Sequence, residues 1–409
     1  MASKSSPKLI SGGLPLHEVP GFRCGTAYAG IQKPGRGQRD VGVLYAPDGA
    51  SAAAVFTRNQ AAAAPVIISR KVAARGLVSA VVVNAGNANA CTGKRGLQDA
   101  RTMMEVASAA LGVPATEILV ASTGVIGRPL PMEKIRAGIW DAALEATGSG
   151  KGRLERAILT TDLVEKRAAC RFALGGRKVT VAGITKGSGM IAPNMATTLS
   201  FIVTDLDAPA AVLRKALRPA CEESFNCLTV DGEASTNDCA FLLASGHSGK
   251  RIARASGPSF DRFRKALTTV CVELARRIAR DGEGATKLVT VNVAGARSAR
   301  DARTAARAVA ESLLVKTAMF GCDPNWGRIL SAIGQTEAKM DLARARVSAG
   351  GVPVYDRRPL RIDARSAARK LKRREVSIDV DLRLGKGRAT VYTCDLSYDY
   401  VKINAEYHT

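Results

Sequence analysis

The feature that most constrains the fold is the stretch 186–201, in which a glycine-rich loop runs into a β-strand. Two glycines soon after Lys186 add no side-chain bulk beside it. Pro193 lacks a backbone donor, so the segment around it cannot be a central strand. From Thr197 onward the residues are β-branched and aromatic, which predicts a buried strand. Ala196 and Thr197 are therefore expected at a loop-to-strand junction.

Backbone cleavage before Thr197 would give this residue a free α-amine, so that one threonine carries both a nucleophile and a general base. Most threonines in such runs only begin a strand, and this stretch alone favours that interpretation. The chain has three histidines, His17, His247 and His408, which makes histidine triads and histidine-rich metal sites improbable. An enzyme of acyl chemistry with this sequence would need a different base.

The formal charge of +24 has two interpretations. It could attract small anionic substrates, or it could bind nucleic acid. One dense basic patch lies at 365–374, and no aromatic residue interrupts it to provide a stacking platform for bases. A solvated helical face is the favoured interpretation, and nucleic-acid binding is the minority one.

The nine cysteines form no Cys-x-x-Cys pair, so neither a zinc site nor a dithiol redox motif is indicated. Scattered single cysteines are typical of buried, reduced thiols in a cytoplasmic protein. The N-terminus has no apolar signal region, and no apolar run reaches the length that a membrane span needs. We therefore expect a soluble, cytoplasmic protein.

Hydrophobic periodicity predicts alternating strands and helices along the chain. The expected strands are 26–31, 41–46, 52–57, 78–84, 117–121, 158–162, 178–185, 287–293, 375–384 and 388–394. The expected helices are 96–111, 131–146, 210–224, 259–279 and 300–316. The Gly-Ser-Gly at 187–189 has no third glycine at dinucleotide spacing, which excludes a Rossmann loop.

Two further positions have the chemistry of a site. The strand 117–121 leads to Thr123 and Gly124, whose hydroxyl and backbone N–H could hold a developing negative oxygen, although Thr-Gly also makes ordinary turns. Glu283 lies between two glycines just beyond a helix. It is either open to a ligand or a solvated loop residue.

Taken in order, these motifs resemble the ornithine acetyltransferase (glutamate N-acetyltransferase) family of arginine biosynthesis. The strongest is Lys-Gly-Ser-Gly-Met-Ile-Ala-Pro-Asn-Met-Ala-Thr at 186–197. The others are 29–31, 55–59, 84–89, 122–127, 160–162, 229–233, 281–287, 323–328 and 400–407. Together they cover nearly the whole chain, from about residue 17 to the C-terminus.

The resemblance implies an α/β (α+β) fold: an N-terminal-nucleophile-like layered αββα sandwich at 1–285 and a smaller α/β domain at 286–409. It also implies self-cleavage between Ala196 and Thr197 into an α chain, 1–196, and a β chain, 197–409. The nucleophile would be Thr197, and the oxyanion hole would be formed by Thr123 and Gly124. The implied substrate contacts are Thr160, Lys186, Thr197, Glu283, Asn404 and Thr409.

By the same resemblance, the enzyme would move an acetyl group from N-acetylornithine to glutamate without a metal or cofactor, and would assemble as two α and two β chains. Whether acetyl-CoA also serves as co-substrate stays open. The alternatives are an N-terminal-nucleophile aminopeptidase or amidase, and a basic nucleic-acid-binding protein. Leu163, Thr198 and Glu233 depart from the family's usual residues, which leaves the fine shape of the pocket open.

Overall fold

The computed structural model describes residues 7–32, 39–192 and 198–406. The predicted cleavage site at Ala196 and Thr197, and the predicted substrate contact Thr409, lie outside the described residues. The strands are β1 Lys8–Leu9, β2 Arg23–Ala27, β3 Val41–Phe56, β4 Leu77–Asn87, β5 Ile118–Val125, β6 Lys166–Leu174, β7 Arg177–Lys186, β8 Leu199–Thr204, β9 Cys239–Ala244, β10 Leu288–Ala296, β11 Arg346–Ala349, β12 Val352–Asp356, β13 Glu375–Asp381 and β14 Gly387–Cys394. The helices are α1 Ala64–Arg75, α2 Gly93–Leu111, α3 Met132–Thr147, α4 Leu154–Ala157, α5 Ala210–Glu222, α6 Gly257–Arg280, α7 Ala299–Glu311, α8 Leu313–Phe320, α9 Trp326–Gly334, α10 Ala364–Leu371 and α11 Tyr398–Glu406.

The strand β3 connects two layers of the larger sheet. The strand order is β1-β6-β7-β8-β9-β3-β4-β5, with β2 paired to β3. The first half of β3 pairs with β2 and β4, and its second half pairs with β9. Its register with β4 shifts between Tyr45 and Ala50, an irregularity that bends a strand. The two halves of β3 therefore belong to different layers.

The buried side chains define four layers, because successive residues of a strand point to opposite faces. Val83 of β4 packs in one core with Phe201 of β8 and Phe241 of β9, which places sheet against sheet. On the outer faces, β4 and β5 are covered by α2 and α3, and β6 to β9 by α5 and α6. The predicted αββα sandwich is confirmed.

The C-terminal part forms a second, five-stranded sheet with the order β12-β11-β13-β10-β14. Its core joins Val291 of β10 and Ile378 of β13 to Ala305 of α7 and Ile329 of α9. This is the smaller α/β unit that was expected. The division of the chain at 285/286 stays a prediction.

Four predicted elements differ in the structure, and the first is the strand expected at 26–31, which instead runs over Arg23–Ala27. The strand expected at 158–162 is wrong: α4 ends at Ala157, and an irregular segment follows in which the Thr160 N–H donates to Asp162 Oδ2 at 3.3 Å. The strands expected at 41–46 and 52–57 form the single strand β3. The helix expected at 300–316 is broken at Ser312, whose side chain caps α8 by accepting from Val315 N at 3.3 Å.

Within the described ranges, none of the helices combines the length and apolar character that crossing a bilayer requires.

Candidate active site

Lys186 and Thr123 meet inside the sandwich at the ends of two strands. Lys186 is the last residue of β7, and its Nζ lies 3.2 Å from the Thr123 hydroxyl of β5. Both residues are largely buried, and each is 9% exposed. On the neighbouring strand, Leu199 is the register partner of Lys186. The sequence position of Thr197 is two residues before Leu199.

Gly124 has a backbone conformation that requires glycine. Its φ is +131°, and a Cβ at this position would overlap the backbone of Gly86 and Asn87. The close approach arises where β4 and β5 pair with an irregular register at Gly86 and Asn87. The backbone beside Thr123 is therefore fixed by its neighbouring strand.

Buried asparagines hold this strand end in place. The Ser122 hydroxyl donates to Asn84 Oδ1 at 2.6 Å, and Asn84 Nδ2 donates to the carbonyl oxygen of Asn87 at 2.9 Å. Asn237 Nδ2 donates to the carbonyl oxygens of Ser122 and Ala88 at 2.8 and 2.6 Å. A network in which buried polar groups are satisfied is rigid, so the backbone leading to Thr123 is preorganised.

A buried ionic cluster lies behind Lys186. Lys166 is fully buried, and its Nζ donates to Asp162 Oδ1 at 2.6 Å and to Asp281 Oδ2 at 2.5 Å. Burial opposes ionisation of Asp162, but Lys166, Lys186 and the Gly187 N–H at 2.7 Å lower its pKa to about 2. Burial raises the pKa of Asp281, and Lys166 opposes that rise. This cluster joins β6, the loop after β7 and the end of α6.

Lys186 places a cation at these strand ends. Burial lowers the pKa of its ammonium, and the carboxyl group of Asp162, with its Oδ2 at 4.0 Å, opposes this shift. Lys166 adds to the lowering, while Asp238 and Glu283 oppose it. A lysine so placed can bind a carboxylate when charged and holds its proton less firmly than a surface lysine does.

Glu283 and Asn404 are brought together by the loop at 187–189 and by α11. The Glu283 N–H donates to the Ser188 carbonyl oxygen at 2.9 Å, and Asn404 Nδ2 donates to Glu283 Oε2 at 2.8 Å. A Cβ on Gly189 would overlap the Glu283 carboxylate, so this glycine makes room for it. Thr160 is half-buried and joins the site through its N–H bond to Asp162.

Three hydroxyl groups lie close together on the two chain segments that flank the loop. Thr198 Oγ1 and Ser200 Oγ are 2.5 Å apart, and Ser200 Oγ lies 2.7 Å from Thr185 Oγ1. All three residues are buried. They form a polar chain that links Thr185 of β7 to Thr198 and Ser200, which follow the sequence position of Thr197.

Asp238 was missed by sequence reasoning. It is buried directly before β9, where its carbonyl oxygen accepts from Thr57 N at 2.9 Å. Burial raises the pKa of its carboxyl group well above the usual range, and Lys186 opposes the rise. Asp162, Lys166 and Asp281 were also not assigned to the site. Local signals did exist: Asp162 and Asp281 stand in the motifs 160–162 and 281–287, and Lys166 follows Asp162 by four residues.

Ionisable side chains with shifted pKa values, gathered at strand ends inside a layered sandwich, are typical of an enzyme active site, and the similarity of this chain to known enzymes agrees with that class. The ArgJ family model matches residues 23–409. The arginine biosynthesis bifunctional protein ArgJ of Symbiobacterium thermophilum is 47% identical, over 95% of this chain and 97% of its own length. The protein of the same name from Geobacter sulfurreducens is 46% identical, over 96% of this chain and 100% of its own. The chain belongs to the ArgJ family, and the family predicted from the motifs is confirmed.

Among solved structures, the arginine biosynthesis bifunctional protein argJ of Bacillus halodurans is 40% identical. It covers 51% of this chain and 98% of its own, with a TM-score of 0.49. The ornithine acetyltransferase of Mycobacterium tuberculosis, solved with ornithine, is 37% identical. It covers 47% of this chain and 100% of its own, with a TM-score of 0.42.

Proposed function

We propose that this enzyme transfers the acetyl group of N-acetylornithine to glutamate through an acetyl ester on Thr197. The observation that carries the proposal is the buried pairing of Lys186 with Thr123. The register partner of Lys186 on β8 is Leu199, which follows Thr197 by two residues. The proposal is also supported by the similarity of this chain, over nearly its full length, to relatives named for arginine biosynthesis. A charged group and a hydroxyl thus meet where β7 and β5 end, and the predicted nucleophile stands two residues before Leu199 in the sequence.

Before catalysis the precursor cleaves itself between Ala196 and Thr197. The new α-amine takes the proton from Thr197 Oγ, and Oγ attacks the acetyl carbonyl carbon. The tetrahedral oxyanion accepts hydrogen bonds from the Thr123 hydroxyl and the Gly124 N–H. Its collapse breaks the amide bond, ornithine leaves with the returned proton, and the amine of glutamate attacks the acetyl ester in turn.

Charge complementarity assigns the substrate contacts. Lys186 pairs with a substrate carboxylate, because its ammonium lies 3.2 Å from the Thr123 hydroxyl. Glu283, supported by the Asn404 amide, pairs with the substrate amine. Thr160 and Thr409 complete the set on the strength of the family's motif positions.

The first experiment measures processing and transfer together. Wild-type protein should separate into chains 1–196 and 197–409, and should form acetylglutamate from N-acetylornithine and glutamate. Thr197→Ala should remain one uncut, inactive chain. A wild-type chain that stays whole yet transfers acetyl would overturn the mechanism.

Two further assays separate the remaining alternatives. Acetate release that exceeds acetylglutamate formation would favour an aminopeptidase or amidase activity, in which water is the acyl acceptor. Acetyl-CoA with glutamate, in the absence of N-acetylornithine, tests whether acetyl-CoA is a second donor. No metal or cofactor is needed by the proposed steps.

The finer expectations on assembly and location belong to the same proposal. We expect the α and β chains to stay associated as two of each in the cytoplasm. Light scattering after size-exclusion chromatography should give twice the mass of one precursor chain. The mass of a single precursor chain would contradict the assembly.

A further inference from the structure

A large cavity lies apart from the proposed acetyl-transfer site, at the point where β3 leaves β4. Its volume is about 1230 Å³, and its walls come from the second half of β3, the loop after it, α1 and α5. None of Thr123, Lys186, Glu283 or Asn404 lines it. The cavity is therefore separate from the site already described.

The cavity exists because β3 is paired on one side only in this part. Its ladder with β4 ends at Ser51, whereas its ladder with β9 continues to Phe56. Beyond Ser51 the edge away from β9 faces α1 and the cavity, with one backbone bond from Ala52 N to the Gly76 carbonyl oxygen. The bend that creates the αββα sandwich thus opens a cleft between α1 and α5.

Five cations surround this cleft, and we call it the basic cavity. They are Arg58, Arg70, Arg214, Lys215 and Arg218, from three different elements. All five are exposed, and the described residues that line the cavity include neither aspartate nor glutamate. Such a concentration of one charge attracts anions and repels cations.

Few of these charges are neutralised within the described part of the chain. Arg70 donates to the Thr57 carbonyl oxygen at 3.2 Å and covers the Phe56 ring at 5.6 Å, and Arg218 pairs with Glu222 at 3.5 Å. The salt bridges among the described residues include none to Arg214 or Lys215. These two side chains, adjacent on α5, are free to meet a ligand.

The remaining walls are apolar. Val55, Phe56 and the 38% exposed Ile67 line the cavity together with several alanines. A ligand that carried only charged groups would leave this apolar surface in contact with water, whereas a ligand with an apolar body would remove it from water. Both the charge and the walls exclude a free basic amino acid as the occupant.

We infer that the basic cavity binds one small organic anion with an apolar body, a carboxylate or a phosphate ester, at a site distinct from the acetyl-transfer site. The cations hold the anionic group, and β3 with Ile67 covers the apolar part. The inference does not depend on the proposed acetyl transfer, since its test measures binding alone.

The test uses 8-anilinonaphthalene-1-sulfonate, an apolar aromatic anion whose fluorescence rises in an apolar site. The wild-type protein should bind the probe in a saturable manner, with one site per chain. The double variant Arg214→Gln/Lys215→Gln should bind at least about tenfold more weakly, because two charge-assisted contacts are lost. The control Arg300→Gln/Arg303→Gln removes the same charge from exposed positions of α7 and should match the wild type.

Competition then defines the ligand class. Decanoate or adenosine 3′,5′-bisphosphate should displace the probe, and the effective one identifies the carboxylate or the phosphate class. Arginine and saturating N-acetylornithine should not displace it. Equal weakening in both double variants, displacement by N-acetylornithine, or failure of both anions to compete would each overturn the inference.

Discussion

Gly189 packs against the carboxylate of Glu283 so closely that no Cβ fits between them. The two residues are far apart in sequence, and the Glu283 N–H bond to the Ser188 carbonyl oxygen brings them together. The glycine next to Ser188 therefore sets where the Glu283 carboxylate lies, and with it the Asn404 amide that donates to this carboxylate.

Gly189→Ala should displace Glu283 without removing any charged group. We expect kcat/KM for N-acetylornithine to fall on the order of 10- to 10²-fold, because a misplacement of about 1 Å at a substrate contact can cost about 10²-fold. Steady-state kinetics on fully processed protein measures it. Gly334→Ala, at the end of α9 where a Cβ meets only ordinary contact, is the control. Unchanged kinetics in Gly189→Ala would remove Glu283 from the site.

Removing the Thr123 hydroxyl should reduce catalysis and leave the fold unchanged. Thr123→Val keeps the side-chain shape but removes the donor, so kcat should fall on the order of 10²–10³ with KM less affected. Thr269→Val, which removes only a hydroxyl bonded to the Lys265 carbonyl oxygen on α6, should keep full activity. A Thr123→Val enzyme with wild-type kcat would show that the oxyanion hole lies elsewhere.

The ionic cluster predicts a specific dependence of stability on pH. The pKa of Asp162 is lowered to about 2 in the folded protein from an unfolded value of 3.8, so its stabilising effect is present above pH 3.8 and is lost as the pH falls toward 2. The lost part should be about 1 kcal/mol by pH 3. Urea unfolding between pH 5.5 and 3, compared with Asp162→Asn, isolates this contribution. The difference in unfolding free energy between the two proteins should shrink as the pH falls, and a constant difference would contradict the assignment.

Removing Lys166 should cost far more than removing a surface lysine. Lys166→Met leaves Asp162 and Asp281 buried without their shared cation, which we expect to cost about 3–5 kcal/mol of unfolding free energy. Lys166→Met/Asp162→Asn/Asp281→Asn removes the unpaired charges and should recover much of the loss. Urea denaturation at pH 7 measures both variants, and equal destabilisation of the two would rule out unpaired charge as the cause.

Local patterns predicted much of this fold because most buried strands and amphipathic helices are continuous in sequence. The strand expected at 158–162 failed because its β-branched residues, one buried and two half-buried, lie in an irregular segment tied to Asp162. The break of β3 expected between residues 46 and 52 failed because a change of register, rather than a turn, accommodates the Pro-Asp-Gly there.

The site was predicted unevenly for a related reason. Thr123, Lys186, Glu283 and Asn404 stand in sequence motifs, whereas the bond between Lys166 and Asp281 joins residues 115 positions apart and has no local signature. Asp238 precedes an apolar strand and has no distinctive neighbours in sequence. Its place beside Lys186 depends on the parallel pairing of β8 with β9, which only the tertiary structure reveals.

Lys186 should give acetyl transfer an alkaline limit. Burial lowers the pKa of its ammonium below the ordinary 10.5, so the cation that binds a substrate carboxylate is lost at a lower pH than for a surface lysine. In the wild type kcat/KM should therefore fall on the alkaline side below pH 10.5. The arginine of Lys186→Arg stays charged over the whole pH range, so the alkaline fall in kcat/KM should disappear in this variant, even if its highest kcat/KM is below that of the wild type. Lys186→Ala should be processed at 196/197 but should use substrate poorly at every pH. An alkaline limb that persists unchanged in Lys186→Arg would assign it to another group, of which the Thr197 amine is the first to test.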